Sequence, residues 1–172
     1  MKLSMPHTAY LSLGSNIGDR EANLREVVTR LSTLGEITAT SSLYATAPME
    51  IVDQPWFLNA AVALRTELAP AELLREILVI EKSMGRVRMQ PKGPRLIDID
   101  IILYDDSVIT APGLTVPHPA MQNRLFVLEP LAEIAPNLVH PVLHRKIADL
   151  RESLASAGQS VRRRDGPWFT RP

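Results

Sequence analysis

The chain has 172 residues, 45% apolar and 22% charged, which suits one folded domain with a real hydrophobic core. Lys plus Arg and Asp plus Glu both total 19, so no overall field draws it to nucleic acid or an anionic membrane. Cysteine is absent, which excludes disulfides and thiolate nucleophiles and fits a cytoplasmic protein. No apolar run reaches the ~20 residues of a membrane span, and MKLSMPHTAYLSLGSN does not read as a secretory signal.

Residues 9–13 alternate weakly and end at Gly14-Ser15-Asn16, which predicts a strand followed by a turn. Asp19 is placed to cap a helix whose stripe is Leu24, Val27, Val28, Leu31 and Leu34, with Gly35 as its stop. Residues 37–44 are β-branched and predict a strand, and 47–56 a loop. In 57–66, FLNAAVALRT, Leu58, Ala60, Val62 and Leu64 share one face, as a strand requires. Pro70 suits the first turn of a second helix, with Leu73, Leu74, Ile77, Ile80, Glu81 and Met84 on its stripe and Gly85 at its end. A polar loop, 86–95, leads into a strand, with Val108 and Ile109 as its hairpin partner across the Asp105-Asp106 turn. Residues 115–124 form another loop, 125–134 read as helical despite Pro130, and a short helix lies within 145–155. Residues 1–158 are expected as one domain, and 159–172, QSVRRRDGPWFTRP, as a loosely held basic tail packed by Trp168 and Phe169. The order strand, helix, strand, strand, helix, strand predicts an α+β fold: a split βαβ repeat with helices on one face of a mixed or antiparallel sheet. A small doubly wound fold is the alternative, and the two consecutive strands before the second helix count against it.

GPRLIDIDIILYDD, residues 93–106, sets Asp98 and Asp100 in an apolar stretch. In a strand both carboxylates point to one face, while Ile97, Ile99 and Ile101 point into the core. Two like charges so close need a positive partner. A hard divalent cation is one remedy, and oxygen ligands without cysteine or clustered histidine favour Mg²⁺ over zinc. Arg86, Arg88, Lys92 and Arg95 lie just upstream, which would suit a polyphosphate. A solvated face of salt-bridged aspartates fits the same spacing, and spacing alone leaves both readings open. GSNIGDR matches neither the Rossmann nor the P-loop glycine pattern, so a nucleotide here would be held by arginines and metal.

Four motifs in order, LSLGSNIGD, DQPWFLNA, GRVR…GPRLIDIDIILYD and LTVPHPAMQNRLFVLEPL, resemble those of the bacterial 6-hydroxymethyl-7,8-dihydropterin pyrophosphokinases over residues 9–136. The resemblance implies a ferredoxin-like βαββαβ core, an α/β sandwich with a C-terminal hairpin and helical additions. It implies transfer of diphosphate from ATP to the hydroxymethyl group of a reduced pterin in folate biosynthesis. Asp98 and Asp100 would hold two Mg²⁺ ions. Arg86 and Arg95 would grip phosphate, with Lys92 beside them, and count with the two aspartates as catalytic. Glu81, Ile101, Thr115, His118 and Arg124 match further nucleotide contacts. Phe57 and Phe126 would sandwich the pterin, Asn59 would read its polar edge, and backbone groups at Thr46, Ala47 and Met49 would complete that edge. Ser15 and Asn16 would shape the turn beside the pocket. The expected partners are pterin and ATP, with a monomer, at most weak contact with other folate enzymes, and neither nucleic acid nor membrane. Met89 stands where the family has a basic residue, and Lys92 is placed to compensate.

Three rivals use the same residues. A nucleotide-binding module without chemistry would not need Asp98, Asp100, Arg95 and Asn59 together. An RNA-binding sheet would need exposed aromatics and net positive charge. A metal-dependent phosphohydrolase would need a base, and His118 is the candidate. His140 and His144 are spaced four apart, but Pro141 and the missing Glu make HPVLH a poor zinc helix.

Overall fold

The computed structural model describes residues 5–47, 56–85, 96–155 and 159–169. The expectations for Met49, Arg86, Lys92 and Arg95 therefore lie outside the described residues.

The sheet is built on β1 (His7–Ser15) and β4 (Phe57–Thr66), antiparallel along their whole length from His7↔Thr66 to Ser15↔Leu58. On the other side of β1 lies β5 (Asp98–Tyr104), also antiparallel. On the far side of β4 lie β2 (Glu36–Thr40) and β3 (Tyr44–Thr46), paired with different parts of it. The strand expected over 37–44 is thus two pieces. Ser41 seals the break: its N–H donates to Ala61 O and its Oγ accepts from Ala61 N, both at 2.9 Å. The order β5-β1-β4-β3, with helices α1 (Arg20–Leu31) and α2 (Pro70–Ser83) in the two crossovers, is the ferredoxin-like core.

Helix α1 starts where Asp19 Oδ1 accepts from Ala22 N at 3.1 Å, and its buried stripe is Leu24, Val27, Val28 and Leu31. It ends at Leu31 rather than Gly35. Gly35 serves a close approach instead: a Cβ there would lie 2.1 Å from Arg65 O. Helix α2 has Pro70 in its first turn, and Glu72 Oε1 accepts from Ala69 N at 3.0 Å. Both helices pack on the sheet face that carries Leu11, Leu13, Leu58, Val62, Ile99 and Ile101.

The opposite face is covered as well. Helices α3 (Leu125–Ile134) and α4 (Ile147–Leu154) bury Val127, Leu128, Leu131 and Leu150 against Ala61, Ile102 and Leu103. The two helices of the repeat, α1 and α2, share one face as expected, and the added helices cover the other. Strand β4 is buried at both odd and even positions from Leu58 to Leu64, as a strand covered on two sides must be. A register shift between Tyr10 and Leu11 leaves Ile102 of β5 without a β1 partner. This bulge puts Ile101 and Tyr104 on the α1/α2 face and Ile102 and Leu103 on the other.

Two more expectations change. Ile109 does not pair with β5: β6 (Ile109–Ala111) pairs with β7 (Leu114–Val116) as a separate ribbon. The C-terminal segment is not a loose tail over 159–169. Strand β8 (Val161–Arg163) joins the sheet beside β3, and Trp168 is buried with its Nε1 donating to Ser41 O at 2.8 Å. Trp168 and Phe169 do form an aromatic pair, with centroids 6.0 Å apart. No helix among the described residues is long and apolar enough to cross a membrane.

Candidate active site

One row of the sheet brings the expected residues together. Gly14 of β1 lies opposite Asp98 on one side and Asn59 on the other. Residues directly opposite in an antiparallel sheet project to the same face, so Asp98 and Asn59 flank one glycine on one surface. In the next row Ser12 lies between Asp100 and Ala61. Asp98 and Asp100 are half-buried and alternate with buried Ile99, so the strand sets both carboxylates on one face from backbone positions about 7 Å apart. Sequence reading ended the first strand before Gly14. The structure carries β1 through Ser15, and the signal for this was an isolated glycine adjoining a strand pattern, which marks close approach.

That approach is specific. A Cβ on Gly14 would lie 2.8 Å from Asn59 Oδ1 and 3.7 Å from Phe57 Cδ1. The bare backbone of β1 is thus the floor under the Asn59 amide and the Phe57 ring. Asn59 is buried, and its Nδ2 donates to Thr46 Oγ1 at 2.6 Å. Thr46 is therefore a side-chain partner of Asn59. The Ala47 N–H donates to Ser160 O at 3.2 Å, so this backbone donor, expected at a ligand edge, serves the C-terminal segment. Ser15 and Asn16 are fully buried, and Asn23 Nδ2 donates to Ser15 Oγ at 3.2 Å, in keeping with their shaping the turn.

Two further side chains reach this face from the other layer. His118 is tied to β5 by its N–H, which donates to Ile102 O at 2.9 Å. Arg124, just before α3, holds its guanidinium 5.7 Å from the centre of the half-buried Phe126 ring. Burial lowers the His118 pKa, Arg124 lowers it further, and Asp98 opposes them. His118 is thus neutral at pH 7. Its Nδ1 accepts from Ala120 N at 3.2 Å, which leaves the proton on Nε2 as a donor.

Three more of the expected nucleotide residues have clear structural surroundings. Glu81 is buried, and its Oε2 accepts from Ile99 N at 3.0 Å, so it supports the backbone of the acidic strand. Ile101 is packed in the core against α1 and α2. Thr115 is exposed on the β6–β7 ribbon, opposite Thr110. His140 Nδ1 accepts from Val142 N and Leu143 N at 3.2 and 3.0 Å, which closes a turn.

The residues on this surface suit a hard cation with phosphate. Both strand carboxylates are oxygen donors, and no third histidine or acid joins them to make an all-protein cage among the described residues. Mg²⁺ is held in that way, by one or two carboxylates with the other positions left to phosphate and water.

The family model for 7,8-dihydro-6-hydroxymethylpterin-pyrophosphokinase (HPPK) matches residues 10–136, a span that contains Gly14, Asn59, Asp98, Asp100, His118 and Arg124. The chain belongs to this family. A 2-amino-4-hydroxy-6-hydroxymethyldihydropteridine pyrophosphokinase of Methylorubrum extorquens is 51% identical over 133 residues, covering 76% of this chain and 84% of that protein. Its counterpart in Bacillus subtilis is 49% identical over 132 residues, covering 76% and 79%. The folic acid synthesis protein fol1 of Schizosaccharomyces pombe is 44% identical over 155 residues, and the chain spans only 21% of its length. Relatives thus span bacteria and fungi, and the family is broader than the bacterial group that the motifs suggested. The crystal structure of Plasmodium falciparum HPPK-DHPS with pteroate superposes with a TM-score of 0.73 over 91% of this chain and 44% of that one. At 20% identity this likeness concerns the fold.

Proposed function

We propose that the protein transfers diphosphate from ATP to the hydroxymethyl group of 6-hydroxymethyl-7,8-dihydropterin, releasing AMP, as a family member of the bacterial type. The observation that carries this reading is the row Asp98–Gly14–Asn59, which sets a carboxylate and a buried amide on either side of a bare strand floor. The amide half takes the pterin: Asn59 offers donor and acceptor to a flat polar edge, and Phe57 and Phe126 offer ring faces. The carboxylate half takes the phosphates. Mg²⁺ held by Asp98 and Asp100 would neutralise the triphosphate and orient the reacting oxygens. His118 donates through Nε2, and Arg124, Arg86, Arg95 and Lys92 supply positive charge to a leaving AMP and a moving diphosphate. Attack is in line at the β-phosphorus, with catalysis by positioning and charge. A phosphohydrolase would need a base for water, and the tautomer of His118 turns a proton, not a lone pair, outward. The protein acts in the cytoplasm as a monomer, with only weak contact with other folate enzymes.

Incubation with Mg²⁺, ATP and hydroxymethyl-dihydropterin should yield AMP and the pterin diphosphate. ADP, or free phosphate without a pterin product, would overturn the reading. Asp100→Ala should abolish turnover almost completely while thermal unfolding stays cooperative. Undiminished turnover would remove Asp100 from the reaction.

A further inference from the structure

The segment 159–162 lies outside the family match, which ends at 136, yet each of its four residues contacts Thr46 or a residue within three positions of Phe57, Phe126 or Thr46 in sequence. We infer that Gln159 is a positioning residue for pterin binding, and that the strand following it is a strap completing that half of the site. This rests on the proposed function.

Gln159 uses both ends of its amide on one backbone stretch. Its Oε1 accepts from Leu125 N at 2.9 Å, and its Nε2 donates to Asn123 O at 3.1 Å. Leu125 is the first residue of α3, and Arg124 at the cap makes no side-chain cap bond. Gln159 therefore satisfies a helix-start N–H that no local side chain satisfies, and it does so from a separate element. The residues so fixed bracket Arg124 and directly precede Phe126, whose ring is the aromatic face supplied by this layer.

The following residues fix the opposite wall. Ser160 O accepts from Ala47 N at 3.2 Å, and Val161 lies opposite Thr46. Thr46 in turn holds the Asn59 amide through the 2.6 Å bond to Nδ2. Arg162 sets its guanidinium 5.7 Å from the centre of the Trp56 ring, next to Phe57. One extended segment thus ties the α3 start, the end of β3 and the start of β4 to each other. These three carry Phe126, the Thr46–Asn59 pair and Phe57. A residue that ties such walls together sets their spacing for a flat ring, where displacement of a fraction of an ångström matters.

The test is pterin binding by calorimetry in the presence of Mg²⁺ and a non-hydrolysable ATP analogue, with steady-state kinetics alongside. Gln159→Ala should weaken pterin binding and raise its KM about tenfold, well beyond any rise in ATP KM, with only a small drop in the thermal midpoint. Gln159→Glu, which keeps the acceptor for Leu125 N but loses the donor to Asn123 O, should fall between the two. Equal pterin affinity in wild type and a folded Gln159→Ala variant would overturn the inference and leave the proposed function standing. A parallel rise in both KM values with a lowered thermal midpoint would also overturn it, since that marks general loosening. Wild-type protein that binds no pterin would overturn the function and the inference together.

Discussion

Gly14 has Asp98 opposite on one side and Asn59 on the other, and its missing side chain leaves room for the Asn59 oxygen. A methyl group there would meet Asn59 Oδ1 at 2.8 Å, while the amide is held from behind by Thr46. The far end of a side chain moves more readily than a strand, so Gly14→Ala should spare the fold and disturb the ligand edge. We expect pterin affinity about tenfold weaker, or ~1.4 kcal/mol, by calorimetric titration. Unchanged affinity would mean that Asn59 does not read the pterin. His118 gives a prediction in pH. Its folded pKa is lowered, chiefly by burial and then by Arg124, so the unfolded chain takes up a proton first as pH falls. The stability it contributes is complete above its unfolded pKa of about 6.5 and is lost as pH falls through the lower folded value. Urea unfolding between about pH 7 and pH 5 should therefore show stability declining with acid, and His118→Gln should flatten that slope. The slope should not vanish, because burial lowers His140 as well. An identical slope in the variant would show that His118 is not held neutral by the fold.

Strand β5 shows how an element can be held for a task by a residue outside the site. Among the described residues it is an edge strand of the sheet, paired with β1, so its outer backbone groups need other partners. Glu81 of α2 fills part of that need by accepting from Ile99 N, between the two aspartates in sequence. Its carboxylate is thus a support beneath the strand that carries Asp98 and Asp100. Glu81→Leu should leave a buried N–H unsatisfied and cost about 1–3 kcal/mol in urea unfolding. A midpoint equal to wild type would show that the bond carries no net stability. The same logic applies at the other edge, where β8 covers β3 and places Gln159 against the start of α3.

The sheet as a whole separates support from chemistry. One face is packed against α1 and α2 and holds most of the large aliphatic core. The other is shared: α3 and α4 cover one part, and Asp98, Asp100, Phe57 and Asn59 line the same surface beside them. Strand β4 makes this sharing workable. Small residues at Ala61 and Ala63 let α3 approach, and polar Asn59 lies farther along the same alternation. The near-continuous apolar run in β4 was a sign of two covered faces, although Leu58, Ala60, Val62 and Leu64 alone suggested one.

Periodicity in the chain was enough to place the aspartates on one face, because alternation in a strand depends only on neighbours two residues apart. It was enough for α1, α2 and the ferredoxin-like order, and the GPR-to-Asp100 motif was enough for the family. Local pattern could not assign Glu81 to the Ile99 backbone, Thr46 to the Asn59 amide, or Gln159 to the start of α3. Each of those contacts joins residues from different elements, and it exists only once the chain has closed around its core. A buried polar group takes whichever partner the packing brings within reach, so its role was decided by the tertiary structure alone.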